Sequence, residues 1–480
     1  MADNTLTAGT ARVDITPPLG FRMQGAMRRI EGAVGVEQPL TATALVLADD
    51  DHKVVILDCD LIGFDLPLAE TIRRRIADRV GTTTTGVTLG CTHTHNGPCT
   101  ARHALGGPHH VAPRDGEVEA LDHYIEVLVQ QLVGVSAMAN AARGPARVAG
   151  GHGHAAVAVN REEVAADGRV LVGRNPEGVS DHAVDVLRVD DLAGAPIAAI
   201  VGYAAHPVVM GYQTYELSPD FPGAVRRIVE GATGATCLYL TGAAGNQACL
   251  SFLQSDWGEK ERIGGQVAAG ALQAYYGIET RPHREVREEG TSLSSIALYR
   301  KEFSDGPTHR IMRSAERKGT VALQPLPPLA EAEQQVSAAE EKLRRMRGEG
   351  ASTVLTAPQE IEVSWAHTVL ERVRAGDTQC SVDYDLVGHR IDDFVLLGMQ
   401  GEPFVEIGLG AKQRSQAAHT MFAGYVNGVL GYVPTAQTVR QGGMSVSSAV
   451  RTYDLPAPPT EDAVDTLVAG FGELLEELGL

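Results

Sequence analysis

Apolar residues fall in short unbroken runs and in helically spaced stripes, and the two alternate along the first half of the chain. Residues 42–46 and 54–57 are unbroken runs and predict strands, the second leading into Asp58-Cys59-Asp60. Residues 68–80 carry apolar positions three and four apart and predict a helix, with Arg73, Arg74 and Arg75 on its wet face. A strand over 87–91 and a helix over 120–139 follow. Residues 184–189 and 197–201 predict a hairpin closed by Asp190-Asp191-Leu192-Ala193-Gly194. Helices are predicted over 223–230 and 263–276, with a strand over 237–240 between them that feeds the turn Gly242-Ala243-Ala244-Gly245. Such alternation predicts an α/β core.

The pattern changes over residues 281–379, which carry Pro325, Pro327 and Pro328 and then a polar helix over 329–347. Its apolar residues, Leu329, Ala332, Val336, Ala339, Leu343 and Met346, form a narrow heptad-like stripe. Packing against the body of the protein accounts for this stripe; a lid over a site, or a contact between copies in a homo-oligomer, are the alternatives. Strand, helix and strand return at 394–398, 405–414 and 420–424, and an amphipathic helix over 461–478 closes the chain. The expected organisation is a core formed by 1–280 and 380–480, interrupted by an insertion at 281–379.

Composition narrows the function. At 480 residues the chain exceeds what a single core usually holds. A formal charge of −19 disfavours nucleic acid and anionic membranes as partners, leaving a small-molecule substrate. No run approaches the roughly 18 apolar residues of a membrane span. The start Met1-Ala2-Asp3-Asn4-Thr5 has no basic and apolar leader, so a cytoplasmic protein is expected. Cys59, Cys91, Cys99, Cys237, Cys249 and Cys380 are scattered, without a C-x-x-C pair, and are expected as buried thiols.

Candidate chemistry gathers after the strands. In Gly90-Cys91-Thr92-His93-Thr94-His95-Asn96-Gly97-Pro98 the two histidines are two apart. On an extended segment they would point the same way, an arrangement that suits a metal. His206 follows the 197–201 strand, Glu402 lies between a strand and a helix, and Tyr432 ends a later apolar run. Each of these alone fits a structural role as well as a ligand.

Taken in order, these pieces resemble the neutral ceramidases and their small bacterial relatives. Thr92-His93-Thr94-His95-Asn96-Gly97-Pro98 resembles the family's T-H-T-H-S-G-P run. Asn160-Arg161, Ala205-His206-Pro207 and Ser218-Pro219-Asp220-Phe221-Pro222-Gly223 resemble its N-R, H-P and S-x-D-x-x-G elements. Gly242-Ala243-Ala244-Gly245-Asn246, Gly401-Glu402-Pro403-Phe404 and the pair Asn427 and Tyr432 resemble its N-A-G-D/N, G-E and N-x4-Y elements. The resemblance implies a mixed-sheet α/β catalytic domain with an inserted helical segment. It also implies a zinc ion held by His93, His206, Glu402 and Tyr432. His95 would orient water or move a proton, Arg161 would hold the developing oxyanion, Asp220 would support a ligand histidine, and Asn246 belongs to the catalytic loop.

Three departures shape the expected chemistry. Ala248 stands where ceramidases carry a Ser proposed as catalytic, with Cys249 one residue out of place. Residues 435–444 lack the tyrosines common there, and a C-terminal immunoglobulin-like domain like that of the large ceramidases is not expected. The reading is a zinc-dependent hydrolase of an amide bond using activated water without a serine. The alternatives are an esterase, a lactonase or a metal-dependent lyase on the same site, and a metal-binding homologue without activity.

Overall fold

In the computed structural model, which describes residues 5–25, 29, 31–100, 116–288, 297–304 and 309–480, the apolar runs of the first half lie side by side in an eight-stranded sheet. Its order is Thr236–Thr241, Pro196–Tyr203, Ala183–Asp191, Gly144–His154, Thr7–Asp14, Thr41–Ala48, Lys53–Cys59 and Val87–Cys91. The first two and the last two strands are parallel pairs, and the remaining neighbours are antiparallel, so the sheet is mixed. A second sheet, Met312–Ala322, Ser381–Ile391, Phe394–Met399 and His419–Ala423, also ends in a parallel pair.

Side-chain alternation along the strands decides the layering. Val46 and Leu57 face α1 (Leu66–Val80) and α2 (Glu117–Ala141), packing with Ile72, Ile76, Leu128 and Leu132. Val186 and Val201 face α3 (Phe221–Thr233) and α4 (Trp257–Gly277) in the same way. The intervening residues Leu45, Leu47, Ile56, Leu187 and Ile200 point to the opposite face, onto Val387, Phe394, Leu396 and Met421 of the second sheet. Leu386, Val395 and Leu397 of that sheet then meet α7 (Val405–Arg414) and α10 (Ala463–Glu477). Four layers result, helices outside and two sheets within. Each fully buried Leu, Ile or Val contributes about 1.5–3 kcal/mol, so the apolar runs hold both interfaces.

Two helices, α5 (Leu329–Gly348) and α6 (Thr353–Ala375), connect the neighbouring antiparallel strands Met312–Ala322 and Ser381–Ile391. The stripe on α5 is covered by α6: Ala332 and Val336 pack on Ala366 and Leu370. Short helices α8 (Ala436–Gln441) and α9 (Ser448–Thr452) lie between the second sheet and α10. Among the described residues no helix is long and apolar enough to cross a membrane. All six cysteines are unpaired, five of them buried.

One expected surface residue is internal. Arg73 is buried, unlike Arg74 and Arg75, because its guanidinium reaches the Val87 and Thr84 carbonyls and pairs with Glu316 at 2.6 Å. A periodicity of apolar positions cannot reveal a charge that has partners inside.

His309 joins turns from both sheets. Its Nε2 lies 3.0 Å from Asp49 and its Nδ1 3.1 Å from Asp392. Burial disfavours its cation, but the two carboxylates outweigh burial and raise its pKa above the usual range. Burial likewise opposes ionisation of Asp49 and Asp392, and hydrogen bonds from His309 and backbone amides outweigh it, holding both carboxyls low. A raised histidine pKa stabilises below its unfolded value of about 6.5 and is lost as pH climbs through the folded value. The lowered carboxyls stabilise above about 4 and are lost as pH falls. The difference in thermal midpoint between wild type and His309→Gln is therefore expected to peak near pH 5–6 and to shrink above pH 7. Melting both proteins across pH 4–9 checks this.

Candidate metal centre

The carboxyl ends of the three parallel strand pairs in the two large sheets meet at one place. Val87–Cys91 delivers Thr92 to His95, Pro196–Tyr203 delivers His206, Thr236–Thr241 delivers Gly242 to Asn246, and Phe394–Met399 delivers Glu402. Backbone links bind these loops: Thr241 Oγ1 donates to the Thr92 carbonyl at 2.7 Å and Gly424 N–H to Thr241 at 2.9 Å. Gly245 N–H donates to the Pro403 carbonyl at 2.8 Å. Open α/β sheets bind ligands beyond the carboxyl ends of their strands.

The strand before the histidines stops at Cys91, so the extended alternation expected for His93 and His95 does not hold. His93 is instead left-handed, at φ 65°, a conformation that costs a residue with a Cβ about 1–2 kcal/mol. Its N–H on Leu61 and its Nδ1 on the Ile62 carbonyl, 2.6 Å away, hold it there. The imidazoles converge by this route: ring centres are 5.1 Å apart for His93 and His95, 4.6 Å for His93 and His206, and 5.1 Å for His95 and His206.

Each ring is turned the same way. Nδ1 of His93, His95 and His206 faces the carbonyl of Ile62, Gly25 and Ala244 respectively, at 2.6, 3.0 and 3.2 Å. A carbonyl only accepts, so Nδ1 carries a proton in each ring, and in His95 and His206, which burial keeps neutral, Nε2 is a bare lone pair. Nε2 of His95 and of His206 nevertheless lie 3.2 Å apart, and the three histidines present donor atoms within 4.8 Å of one another. Such lone pairs repel unless a cation lies between them.

Glu402 completes the cluster. Its Oε2 is 3.5 Å from His93 Nε2 and 3.8 Å from His206 Nε2. A two-residue parallel bridge sets Glu402 beside Tyr432. Arg161 sits at a bulge in strand Ala158–Val164, where the irregularity re-aims its side chain. Its guanidinium donates to the Gly245 carbonyl at 2.6 and 3.0 Å and to the Tyr432 hydroxyl at 3.1 Å. His93, His206, Glu402, Arg161 and Tyr432, separated along the sequence, are thus one buried constellation.

Burial, then neighbouring cations and imidazoles, push the pKa of His95 and His206 well below 6.5, so both rings are neutral at pH 7. Burial opposes ionisation of Glu402, but His93, Arg161 and the Tyr453 hydroxyl together hold its carboxyl below the ordinary range. Burial and the Glu402 charge push the Tyr432 phenol well above 10, outweighing Arg161, so it keeps its proton.

The remaining motif residues support these groups from behind. Asn246 accepts from Val405 N–H at 2.8 Å and donates to Glu406 at 3.0 Å, and its carbonyl accepts Arg161 N–H at 2.8 Å. Asp220 faces backbone: its carboxylate accepts from Met210 N–H at 3.0 Å and Phe221 N–H at 2.6 Å. It caps α3 and fixes the loop after His206, and touches no imidazole among the described contacts. Ala248 and Cys249 lie in the short strand Gln247–Cys249, both fully buried, with the thiol packed in the apolar cluster under α3 and α4.

Four contributors were not legible in the sequence. Arg29 donates to the His95 carbonyl and, at 2.8 Å, to Gly211 O, tying both histidine loops together; burial lowers its pKa to about 10. Gly25, at φ 93°, admits the His95 ring, since a Cβ there would lie 2.5 Å from its Nδ1. Tyr425 stacks on His93 at 4.2 Å and places its hydroxyl 3.5 Å from Glu402. Tyr453 donates to the other Glu402 oxygen. The signal for Tyr425 was its place two residues before Asn427; Tyr453 carried none.

The structure is similar to that of neutral ceramidase from Pseudomonas aeruginosa, with a TM-score of 0.64 and 18% identity, over 99% of this chain and 75% of that one. A solved ceramidase complexed with C2 aligns with a TM-score of 0.65 and 17% identity, over 99% and 76%. The fold is that of the neutral ceramidases. No protein-family model matches the chain, and no curated protein matches it. A cleft of about 990 Å³ between strand Gly144–His154, the end of α4 and Arg390 shares no residue with the imidazole cluster.

Proposed function

We propose that this protein is a zinc-dependent hydrolase of an amide bond in a small molecule or N-acyl compound, acting through activated water. The observation that supports it is the convergence of three imidazole Nε2 atoms beside a buried carboxylate. The ceramidase-like fold adds to it. All donors are nitrogen or oxygen, as zinc accepts. His93 and His206 both border Glu402 and are the more buried imidazoles, so these three would hold the ion, with Tyr432 adjacent. A zinc ion there supplies polarisation of the scissile carbonyl and lowers the pKa of water toward about 7.

The protein's own groups do the rest. His95 borders the cluster without a described contact to Glu402, and its neutral Nε2 takes the proton of the attacking water. Arg161, fixed by the Gly245 carbonyl, receives the negative charge that grows on the substrate oxygen. The Tyr432 hydroxyl, kept protonated, gives a proton to the leaving nitrogen as the C–N bond breaks. The proton held by His95 then returns to the Tyr432 oxygen, and carboxylic acid and amine are the products. The test is a panel of linear amides, lactams and esters with zinc-loaded protein. Amide turnover that chelation abolishes and zinc restores supports the reading; a zinc-loaded protein inert on every member supports the second one, a metal-binding homologue, which Ala248 at the serine position favours.

Cys249 has no part in this scheme. Burial raises its thiol pKa well above 9, so little thiolate exists to attack. Cys249→Ala is expected to keep its rate within about twofold and to lose about 1 kcal/mol of stability from the small void. Kinetics and thermal melting of the variant check both.

A further inference from the structure

The inserted helices meet α9 and the turn after it, and the contact is uneven. A groove of about 200 Å³ opens between α5, α6 and α9, lined by Met346, Leu355, Ile361 and Ser448 and closed at one side by Glu362 and Arg451. Packing there is loose. The firm attachment is at Trp365 of α6, whose indole Nε1 donates to the Leu455 carbonyl at 2.6 Å. Arg451 of α9 lies over the Trp365 ring, 5.4 Å from its centre, and pairs with Glu362 of α6 at 3.0 Å.

These two attachment points bracket Tyr453. Its backbone N–H bonds to Ala449, and Leu455 N–H bonds to Val450 at 2.9 Å, so α9 and the turn after it move as one piece. Asp454 between them is left-handed at φ 52°, a conformation that persists only when its surroundings impose it. The Tyr453 ring packs on Gly431, where a Cβ would come within 3.1 Å of it, and its hydroxyl donates to Glu402. We propose that Trp365 is a positioning residue for the metal centre, holding the 451–455 turn so that the Tyr453 hydroxyl fixes the orientation of the Glu402 carboxylate. The helical insertion is then a brace for a ligand rather than a lid.

This rests on the zinc reading above, and the experiment separates the two. The probe is zinc alone, titrated against a chromogenic chelator with wild type, Trp365→Phe, Tyr453→Phe and the double variant. Tyr453→Phe is expected to weaken zinc binding roughly tenfold, as loss of a hydrogen bond to a ligand typically does. Trp365→Phe keeps an aromatic six-membered ring but loses the N–H, and is expected to weaken binding roughly fivefold, with the double variant no weaker than Tyr453→Phe alone. A general loss of structure would instead add to the Tyr453→Phe loss. A spectroscopic signature accompanies it: with Trp257 replaced by Phe, Trp365 is the remaining tryptophan, and its emission is expected to shift on zinc addition unless Tyr453 is Phe. Unchanged zinc affinity in Trp365→Phe, or strictly additive losses, overturns the positioning role. A wild type that binds no zinc overturns the metal reading itself.

Discussion

His206→Ala is expected to weaken zinc binding roughly a hundredfold while leaving the metal-free protein folded. Four donors supply roughly 10–16 kcal/mol in a structural zinc site, so one donor accounts for about 3 kcal/mol. The metal-free variant loses a buried ring, but it is also relieved of the 3.2 Å approach between the Nε2 atoms of His95 and His206. Its melting temperature is expected to stay near that of chelator-treated wild type. Zinc-loaded wild type should melt higher than both, because an ion that binds only the folded state stabilises it. Competition titration and melting with and without chelator check the two halves separately. A variant that keeps wild-type zinc affinity removes His206 from the ligand set.

The second large effect is on rate alone. Arg161→Ala is expected to lower kcat on an amide substrate by about 10²–10³, the usual cost of removing one fixed donor from a developing oxyanion. Zinc affinity is expected to change little, since the guanidinium contacts Gly245 and Tyr432 and not an imidazole. Arg161→Lys should rescue poorly, because a single ammonium cannot span the Gly245 carbonyl and the Tyr432 hydroxyl together. Steady-state kinetics beside zinc titration decide it. A kcat within threefold of wild type in Arg161→Ala would place the oxyanion elsewhere.

Strands such as Thr41–Ala48 and Lys53–Cys59 were readable because they are unbroken apolar runs, whereas Thr7–Asp14, Gly144–His154, Met312–Ala322 and Ser381–Ile391 were missed because polar residues and glycines interrupt them. Residues 87–91 and 405–414 were bounded correctly, and most other elements missed only end turns. Helix α6 was missed: Pro358 interrupts its amide pattern and Gly350 precedes it, so local chemistry argued against a helix that packing on α5 sustains. The candidate ligands were readable for a related reason. A group presented by a strand end needs a short, stereotyped turn, and turns leave motifs such as Thr92-His93-Thr94-His95 or Gly401-Glu402-Pro403. Groups that arrive by tertiary packing leave none. Arg29 and Tyr453 reach the cluster from segments with no regular chemistry of their own, and only the folded chain brings them in. The reasoning that paired His93 with His95 assumed an extended chain; the rings converge because His93 turns left-handed instead.

The missing side chain at Gly25 gives the cluster a control that touches no ion. A single methyl there would collide with the His95 ring and expel it, while His93, His206 and Glu402 keep their places. Binding of the ion and movement of the proton would then come apart, the first kept and the second lost. Descendants of this protein can therefore fall silent through position 25 without any change to a residue that holds the ion.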